Sequence, residues 1–226
     1  TTATNNFIRN RLTTLTAIRD GEFNTAATIG TGAANQPVEG RRYKITTLGS
    51  TPTNWATIGA DSSPAVGEIF TANDQTATGD GTAQQENQYG LVLTGGNVTI
   101  TNNMTFLTPE TLGSVNQPIG HVTGSRSVSG SFTCYLNNDT DSSAELFEDL
   151  VGATTTVTNN HTLKFDIGGT TPNLPRVQMS MASCHLELPS HSIDDVISLE
   201  TAFHALPSAI DLTDEITVKY FGKDVV

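Results

Sequence analysis

The stretch TGSRSVSGSFTCYLNNDTDSSAELFEDLVG, residues 123–152, decides the fold class. Its first part alternates, with polar side chains at odd positions and small or apolar ones at Val128, Gly130, Phe132, Cys134 and Leu136. A period of two is typical of a strand with one buried face. We therefore predict a strand that ends near Leu136.

The second part of this stretch predicts a helix. Ser142-Ser143-Ala144-Glu145 has the S-x-x-E spacing of a capping box, so the helix is expected to start at Ser142 or just before it. Apolar residues recur at helical spacing as far as Gly152, which provides the stop. This is the one convincing helix pattern in an otherwise β-type sequence, and it carries no visible chemistry.

The composition predicts an all-β chain. Hydrophobic residues make up 36 % of the 226 residues, while Thr, Asn and Gly are frequent. Thr favours half-buried pleated surfaces, and Asn and Gly favour turns. The length suits one large β domain, or one domain with an insertion. Because so few strongly apolar residues give a modest core, we expect association between subunits to bury additional surface.

The charge is strongly acidic and unevenly distributed. The net charge is −12; residues 1–126 carry 7 basic and 9 acidic groups, and residues 127–226 carry 4 basic and 14 acidic groups. Tight nucleic-acid binding needs Lys and Arg to replace counterions, so this composition argues against it. The excess of carboxylates serves either solubility or a surface that lets a polyanion pass without sticking.

The two cysteines, Cys134 and Cys184, each fall in a predicted strand and are expected to be buried free thiols. No secretory leader pattern and no apolar stretch of membrane-spanning length is present in the sequence. These features predict a soluble protein made in a reducing cytoplasm.

Three regions are predicted along the chain: an N-terminal arm at 1–24, a small β-rich insertion with linkers at 25–90, and a β core at 91–226. The linkers are residues 25–36 and 84–90, which are small or polar. A mini-core is predicted inside the insertion from Tyr43, Ile45, Trp55, Ile58, Ile69 and Phe70.

The core region carries strand patterns in quick succession. They cover residues 96–101, 105–107, 121–136, 161–167, 176–188, 194–206 and 215–221. The run Arg176–Leu188 is long enough to bend or to cross between two sheets. Prolines stand at the strand ends, where they are tolerated.

Segment 91–221 resembles the tail tube (major tail) proteins of long-tailed bacteriophages. SRSVSGSFTCYL at 125–136 looks like the central strand of that family, and SSAELFEDLVG at 142–152 looks like its single helix. VQMSMASCHLELPSHSIDDVISLETAFHALPS at 177–208 looks like its paired late strands. Residues 43–82 are similar to a short β-rich segment that recurs in phage virion proteins, carried here by Ile58-Gly59-Ala60 and Ile69-Phe70-Thr71-Ala72.

The resemblance implies a β-sandwich or open barrel with one short flanking helix and a small β insertion. It implies stacked, six-membered rings that form the tube through which phage DNA is delivered, with residues 121–136 and 177–203 in the inner barrel. Glu145, Glu148 and Asp149 would face neighbours or solvent, and the arm 1–24 and the loop 107–118 would reach the next ring. The implied partners are copies of the same chain and other tail proteins such as sheath, tape measure or terminator. DNA would pass without specific binding, and the implied location is the virion tail, assembled in the host bacterial cytoplasm.

No catalytic, cofactor-binding or metal-binding residues are predicted. Cys184-His185 with His191 lacks the close paired spacing of zinc sites, so strand histidines with local hydrogen bonds are the favoured interpretation. A receptor-binding or capsid-decorating β-sandwich is the alternative function. A glycan hydrolase ranks last, because four Tyr and one Trp leave little for a sugar-stacking cleft.

Overall fold

The computed structural model describes residues 8, 13–30, 36–107, 120–152, 160–168, 175–193, 197–209 and 212–222. The chain forms two compact units: one is Ile18–Tyr89, and the other combines Thr1–Ala17 with Gly90–Val226. We call them the small unit and the large unit.

Strands dominate both units, which confirms the all-β prediction. In chain order the elements are β1 (Thr14–Phe23), β2 (Ala27–Thr28), β3 (Arg42–Thr47), β4 (Ile69–Thr71), β5 (Thr82–Leu91), β6 (Leu93–Leu107), β7 (Gly120–Tyr135), α1 (Ser143–Gly152), β8 (His161–Ile167), β9 (Arg176–Leu186), β10 (Ser190–Ile193), β11 (Ile197–Ala205) and β12 (Thr217–Phe221).

The small unit is a sheet in the order β4-β3-β5-β1, with β2 paired to β5. Its core contains Tyr43, Ile45, Trp55, Ile58 and Phe70, as predicted. The predicted core residue Ile69 is instead 43 % exposed. Ile69 and Phe70 are neighbours in β4 and must point to opposite faces, and the larger ring takes the core face.

The prediction of a linker at 84–90 is wrong, because these residues lie within β5. The run QQENQ gives no apolar alternation, yet Glu86 in its middle is 2 % exposed. Its carboxylate is paired with Arg42 and accepts the Gly21 N–H. A buried charge with such partners is tolerated in a strand, and hydrophobic periodicity cannot reveal it.

The large unit is an antiparallel sheet in the order β1-β8-β9-β11-β7-β6, with β10 paired to β11 and β12 paired to β9. The long strand β9 pairs with β8 along one side. On its other side, Arg176–Ser180 pairs with β12 and Cys184–Leu186 pairs with β11. One extra residue of β9 lies between Met181 and Cys184, opposite His161 and Leu163, and this bulge marks the change of partner. The long run predicted to bend or to cross between sheets is thus one strand that carries a bulge and changes its partner within a single sheet.

Aromatic contacts join the strands across the core of the large unit. The Phe203 ring lies 6.4 Å from that of Phe132 and 6.1 Å from that of Phe165, measured between centroids. These rings come from β11, β7 and β8, and Phe203 is 0 % exposed. The sheet thus folds over on itself around this cluster, as a sandwich or open barrel does.

The stretch at 123–152 folds as its pattern predicts, with one difference at the helix start. Val128, Phe132 and Cys134 are buried in β7, while Leu136 follows the strand and is 38 % exposed. The Glu145 side chain does reach back toward the start of the helix, but its carboxylate accepts a hydrogen bond from the N–H of Asp141. The Ser142 hydroxyl does not close the box, since it donates to the carbonyl of Asn137. The Ser142 side chain thus holds the loop before α1 through a local hydrogen bond to the backbone.

Cys134 and Cys184 are both buried free thiols, as predicted. Within the described residues, no helix is long and apolar enough to cross a bilayer.

Candidate assembly surface

Strand β6 of the β6–β7 hairpin is exposed along nearly its whole length. Its register runs from Leu93 opposite Cys134 to Leu107 opposite Gly120. Thirteen of the fifteen β6 residues are exposed, and the other two, Leu93 and Val98, are half-buried. The sequence predicted two short strands at 96–101 and 105–107; they are one strand with a register shift between Asn102 and Met104. Its Thr-, Asn- and Gly-rich composition weakened the periodic signal.

β6 forms one open edge of the sheet. It ends the strand order, and among the described residues only β7 pairs with it. The Tyr135 N–H donates to Val92 on the β6 side, and the Leu136 N–H donates to Ile197 on the β11 side. Backbone N–H and C=O groups alternate in direction along a strand. Ser131 and Ser129 therefore also direct these groups toward β6, and their register partners Asn97 and Thr99 direct theirs toward β7.

The intervening residues of β6 therefore direct their backbone N–H and C=O groups away from β7. These residues are Gly96, Val98 and Ile100. An unpaired row of this kind is a template for pairing with another strand.

The opposite edge of the same sheet consists of β10 and the end of β9. β10 pairs with β11 on one side, and the described part of the chain places no strand on its other side. β8 covers β9 only as far as Cys184. Ser190 and Ser192 pair with Glu200 and Ser198, and their backbone N–H and C=O groups point toward β11. By the same alternation, the backbone groups of His191 and Ile193 point away from β11. Among the described residues, β6 and β10 thus each leave one side of the sheet without a strand partner.

The sheet β6-β7-β11-β9 has two faces of opposite character. Residues paired across an antiparallel ladder share a face. One face carries the core residues, among them Val128, Phe132, Leu199 and Phe203. The other, which we call the polar face, carries Asn97, Thr99, Thr101, Ser127, Ser129, Ser131, Thr133, His185, Glu187, Ser198, Glu200 and His204. None of these polar-face positions is Lys or Arg.

Apolar side chains are exposed at the far end of the hairpin. Phe106 is 60 % exposed, Val122 55 % and Met104 41 %. The Phe106 ring lies beside that of His121, with 6.5 Å between centroids. By register, Met104 and Phe106 lie on one face of this end of the hairpin and Val122 lies on the other, so exposed apolar groups on both faces make it a candidate contact surface.

A groove of ≈ 670 Å³ lies where the start of β6 approaches β8 and β9. Its apolar lining is Leu93, Val98, Phe165, Ile167 and Met179. The polar remainder of the lining comes from Thr13 and from β6 itself. The groove adds an apolar surface directly beside the open β6 edge.

The remaining predicted positions lie as follows. Glu145 and Glu148 of α1 are exposed and Asp149 is half-buried. The predicted inner-barrel ranges 121–136 and 177–203 fall on β7, β9, β10 and β11, which share one sheet. Residues 108–118 of the predicted stacking loop and much of the arm, residues 1–7 and 9–12, lie outside the described residues. The position of β6 as the edge partner of β7 was not predicted.

Reactive chemistry is sparse on these surfaces. No group of three or more His, Cys, Asp or Glu side chains within the described residues is arranged to hold a metal ion. Desolvation by burial raises the pKa of the Cys134 thiol to about 11, which leaves it protonated and unreactive at neutral pH. An exposed strand edge, a polar face and exposed apolar side chains at the hairpin end are the features of a surface suited to protein–protein contact.

Comparison with known proteins gives the family. The family profile described as "Phage tail tube protein" matches residues 12–205. The chain belongs to the phage tail tube protein family, and its role is a structural one in the virion tail. It is also similar to the tail tube protein pb6 of Escherichia phage T5, with 37 % identity over 128 residues. That match covers 56 % of this chain and 27 % of pb6, so the matched part is about a quarter of the relative's length.

Proposed function

We propose that copies of this chain join edge to edge into rings of six, that the rings stack into a tube, and that the tube carries phage DNA into the host. The observation that carries this proposal is the open edge of the 15-residue strand β6, whose alternate residues have no strand partner on the side away from β7 among the described residues. Membership of the tail tube family supports self-assembly. The copy number, the delivery of DNA and the absence of catalysis are parts of the proposal.

The direction of the strands favours joining β6 of one copy to β10 of the next. β7 runs antiparallel to β6, β11 to β7, and β10 to β11. Four alternating strands leave β6 and β10 running in opposite directions. A β10–β6 joint between copies is therefore antiparallel, like the joints between β6, β7, β11 and β10, and it lets one continuous barrel close.

The ring formed in this way has a useful width. Four strands from each of six copies, spaced about 4.8 Å apart, give a barrel about 37 Å across between backbones. Strand tilt widens it further. This space accommodates a DNA duplex after side chains are allowed for.

The polar face lines the channel in this arrangement, because the other face forms the core of each copy. Lys and Arg, whose positive charges bind phosphates by displacing counterions, are missing from the polar-face positions, so the hydroxyl and amide groups there offer only weak, neutral hydrogen bonds. Glu187 and Glu200 add repulsion, which is screened only beyond about 8 Å at physiological salt. DNA would therefore move along the polar face without binding tightly to it.

Contacts between rings fall to the hairpin end and to the terminal arm. Met104, Phe106 and Val122 project apolar surface along the tube axis when β6 and β7 line the barrel. Head-to-tail contacts of this kind repeat without limit along one axis. Sheath, tape measure or terminator proteins would meet the outer surface, the channel and the ends, with assembly in the host bacterial cytoplasm.

Proline substitution tests the edge contact. Val98→Pro removes an N–H that points away from β7, so the hairpin ladder keeps its own hydrogen bonds. We expect this variant to remain single in analytical ultracentrifugation and to show no tubes by negative-stain electron microscopy. Val98→Ala, which keeps the N–H, is the matched control and should assemble like the parent chain. Assembly of Val98→Pro at the parent concentration would contradict the proposal, as would a parent chain that remains single.

A mixing experiment tests the pairing of the two edges. His191→Pro blocks the β10 edge in the same way that Val98→Pro blocks β6. Each variant alone has one intact edge of a different kind, so neither should associate. An equimolar mixture should form heterodimers joined by one β10–β6 contact and nothing larger. If the mixture remains single while the parent chain assembles, these two edges do not meet.

A further inference from the structure

Two histidines face each other across β9 and β11. His185 and His204 are register partners, and both lie on the polar face. The Glu187 N–H donates to the Ala202 carbonyl, and the Leu206 N–H donates to the Ser183 carbonyl. His185 and His204 therefore occupy a hydrogen-bonded pair position, where the two Cα atoms are about 5.5 Å apart. On sequence alone, His185 was considered together with His191 as a metal site, but His191 pairs with Leu199 in the structure.

The surroundings of this pair favour a cation. The Glu187 Oε1 atom lies 3.5 Å from the Nε2 atom of His204. The Nδ1 atom of His185 is enclosed and has no hydrogen-bond partner among the described residues. An enclosed polar atom without a partner is the kind of group that an ion or a water molecule satisfies. No Lys or Arg stands at the polar-face positions to compete for the imidazoles or the carboxylate.

We propose that His185 and His204 together bind one divalent transition-metal ion, with Cu²⁺ or Ni²⁺ preferred. Imidazole nitrogen is the ligand that suits these ions, and two imidazoles from adjacent strands supply a pair of cis positions. No third His, Cys, Asp or Glu is arranged to join them within the described residues, so water completes the coordination and the ion exchanges readily. Glu187 acts on His204 from outside the coordination sphere, where a carboxylate raises the basicity of the ligating ring.

Copper titration of the purified chain tests the site. Calorimetry with Cu²⁺ should show one equivalent bound per chain, and electron paramagnetic resonance should show coupling to two nitrogens. His204→Asn should leave one coupled nitrogen and weaken binding at least tenfold, and His185→Asn should do the same. His191→Asn is the matched control, because His191 is exposed on β10 and outside the pair; its affinity and spectrum should equal those of the parent.

A stability measurement separates binding at this pair from binding elsewhere. An ion that bridges β9 and β11 binds only the folded chain, so Ni²⁺ at saturating concentration should raise the unfolding temperature, and a chelator should reverse the rise. His204→Asn should lose this rise, while Glu187→Gln should retain it at reduced size. Unchanged copper affinity in both pair variants, or an equal loss in His191→Asn, would overturn the proposal. Both histidines lie in the same chain, so the measurements test this site whether or not the chain assembles into rings.

Discussion

The ion pair between Arg42 and Glu86 should be asymmetric in its effect on stability. The Glu86 side chain is 2 % exposed, while that of Arg42 is 41 % exposed. The Arg42 Nη1 atom lies 2.9 and 3.0 Å from the two carboxylate oxygens, and the Gly21 N–H donates to Oε1 at 3.0 Å. Removing the guanidinium leaves a buried carboxylate with one backbone donor. Removing the carboxylate leaves a half-exposed cation that water can solvate and that still has Asp20 within 3.4 Å.

These contacts determine the expected loss of unfolding free energy in each variant. Breaking a fully buried pair costs about 3–5 kcal/mol, and we discount this to about 2–3 kcal/mol for Arg42→Met because of its exposure. Glu86→Gln keeps an acceptor for the Gly21 N–H and should cost about 1 kcal/mol. The double variant Arg42→Met with Glu86→Leu contains no isolated buried charge. It should therefore be more stable than Arg42→Met alone.

Trp55 provides a local assay. It is the single tryptophan, it is 1 % exposed, and it packs edge-on against Phe70 in the core of the small unit. Its fluorescence therefore follows the unit that contains the ion pair. At about 4–8 °C per kcal/mol for a domain of this size, Arg42→Met should lower the midpoint by about 10–20 °C. Equal small losses for Arg42→Met and Glu86→Gln, or a double variant less stable than Arg42→Met, would refute this reasoning.

Three further outcomes follow from single side chains. Phe203→Ala empties the centre of the aromatic cluster and should cost about 3–5 kcal/mol in denaturant unfolding, whereas Phe203→Leu should cost less than half of that. The Cys134 thiol, whose pKa burial raises to about 11, should react with a thiol reagent at pH 8 only in denaturant, and fast reaction in the native state would show that the site is open. The hydroxyl of Ser50, and then the Thr51 N–H, lower the pKa of the Asp80 carboxyl, so its contribution to stability is present above its ordinary value near 4 and is lost as the pH falls toward the lowered value. Asp80→Asn should remove that part of the acid dependence, which a pH series of urea midpoints measures.

The fold was largely predictable where one face of an element is apolar. β7, β8 and α1 each follow a clear period, and the sequence placed them within a residue or two. β5 was missed because its buried Glu86 reads as solvent-exposed, although an ion pair holds it. A pattern of apolar residues reveals only those buried positions that are occupied by apolar side chains.

The assembly surface was predictable in part, for a different physical reason. Alternation along β7 and β11 identifies which residues share a face, and this also identified the polar side. The position of β6 at the edge depends on which strands pair, and pairing is a long-range property that no local period records. The opposition of His185 and His204 depends in addition on the bulge in β9, since one inserted residue changes which side chains face the core.

The composition of β6 limits the nonspecific aggregation expected of a chain with such an open edge. Long, flat, apolar edge strands aggregate, because any similar strand pairs with them. The first part of β6 reads LTGGNVTITNN, in which polar or glycine residues outnumber apolar ones. Pairing there gains backbone hydrogen bonds and little apolar burial, so a mismatched partner gains almost nothing. The apolar residues that reward association lie further along the strand, at Met104 and Phe106, and in the groove beside Leu93. In the proposed assembly, a partner must match these separated surfaces and the edge register at once, as a second copy of the same chain repeated about an axis would.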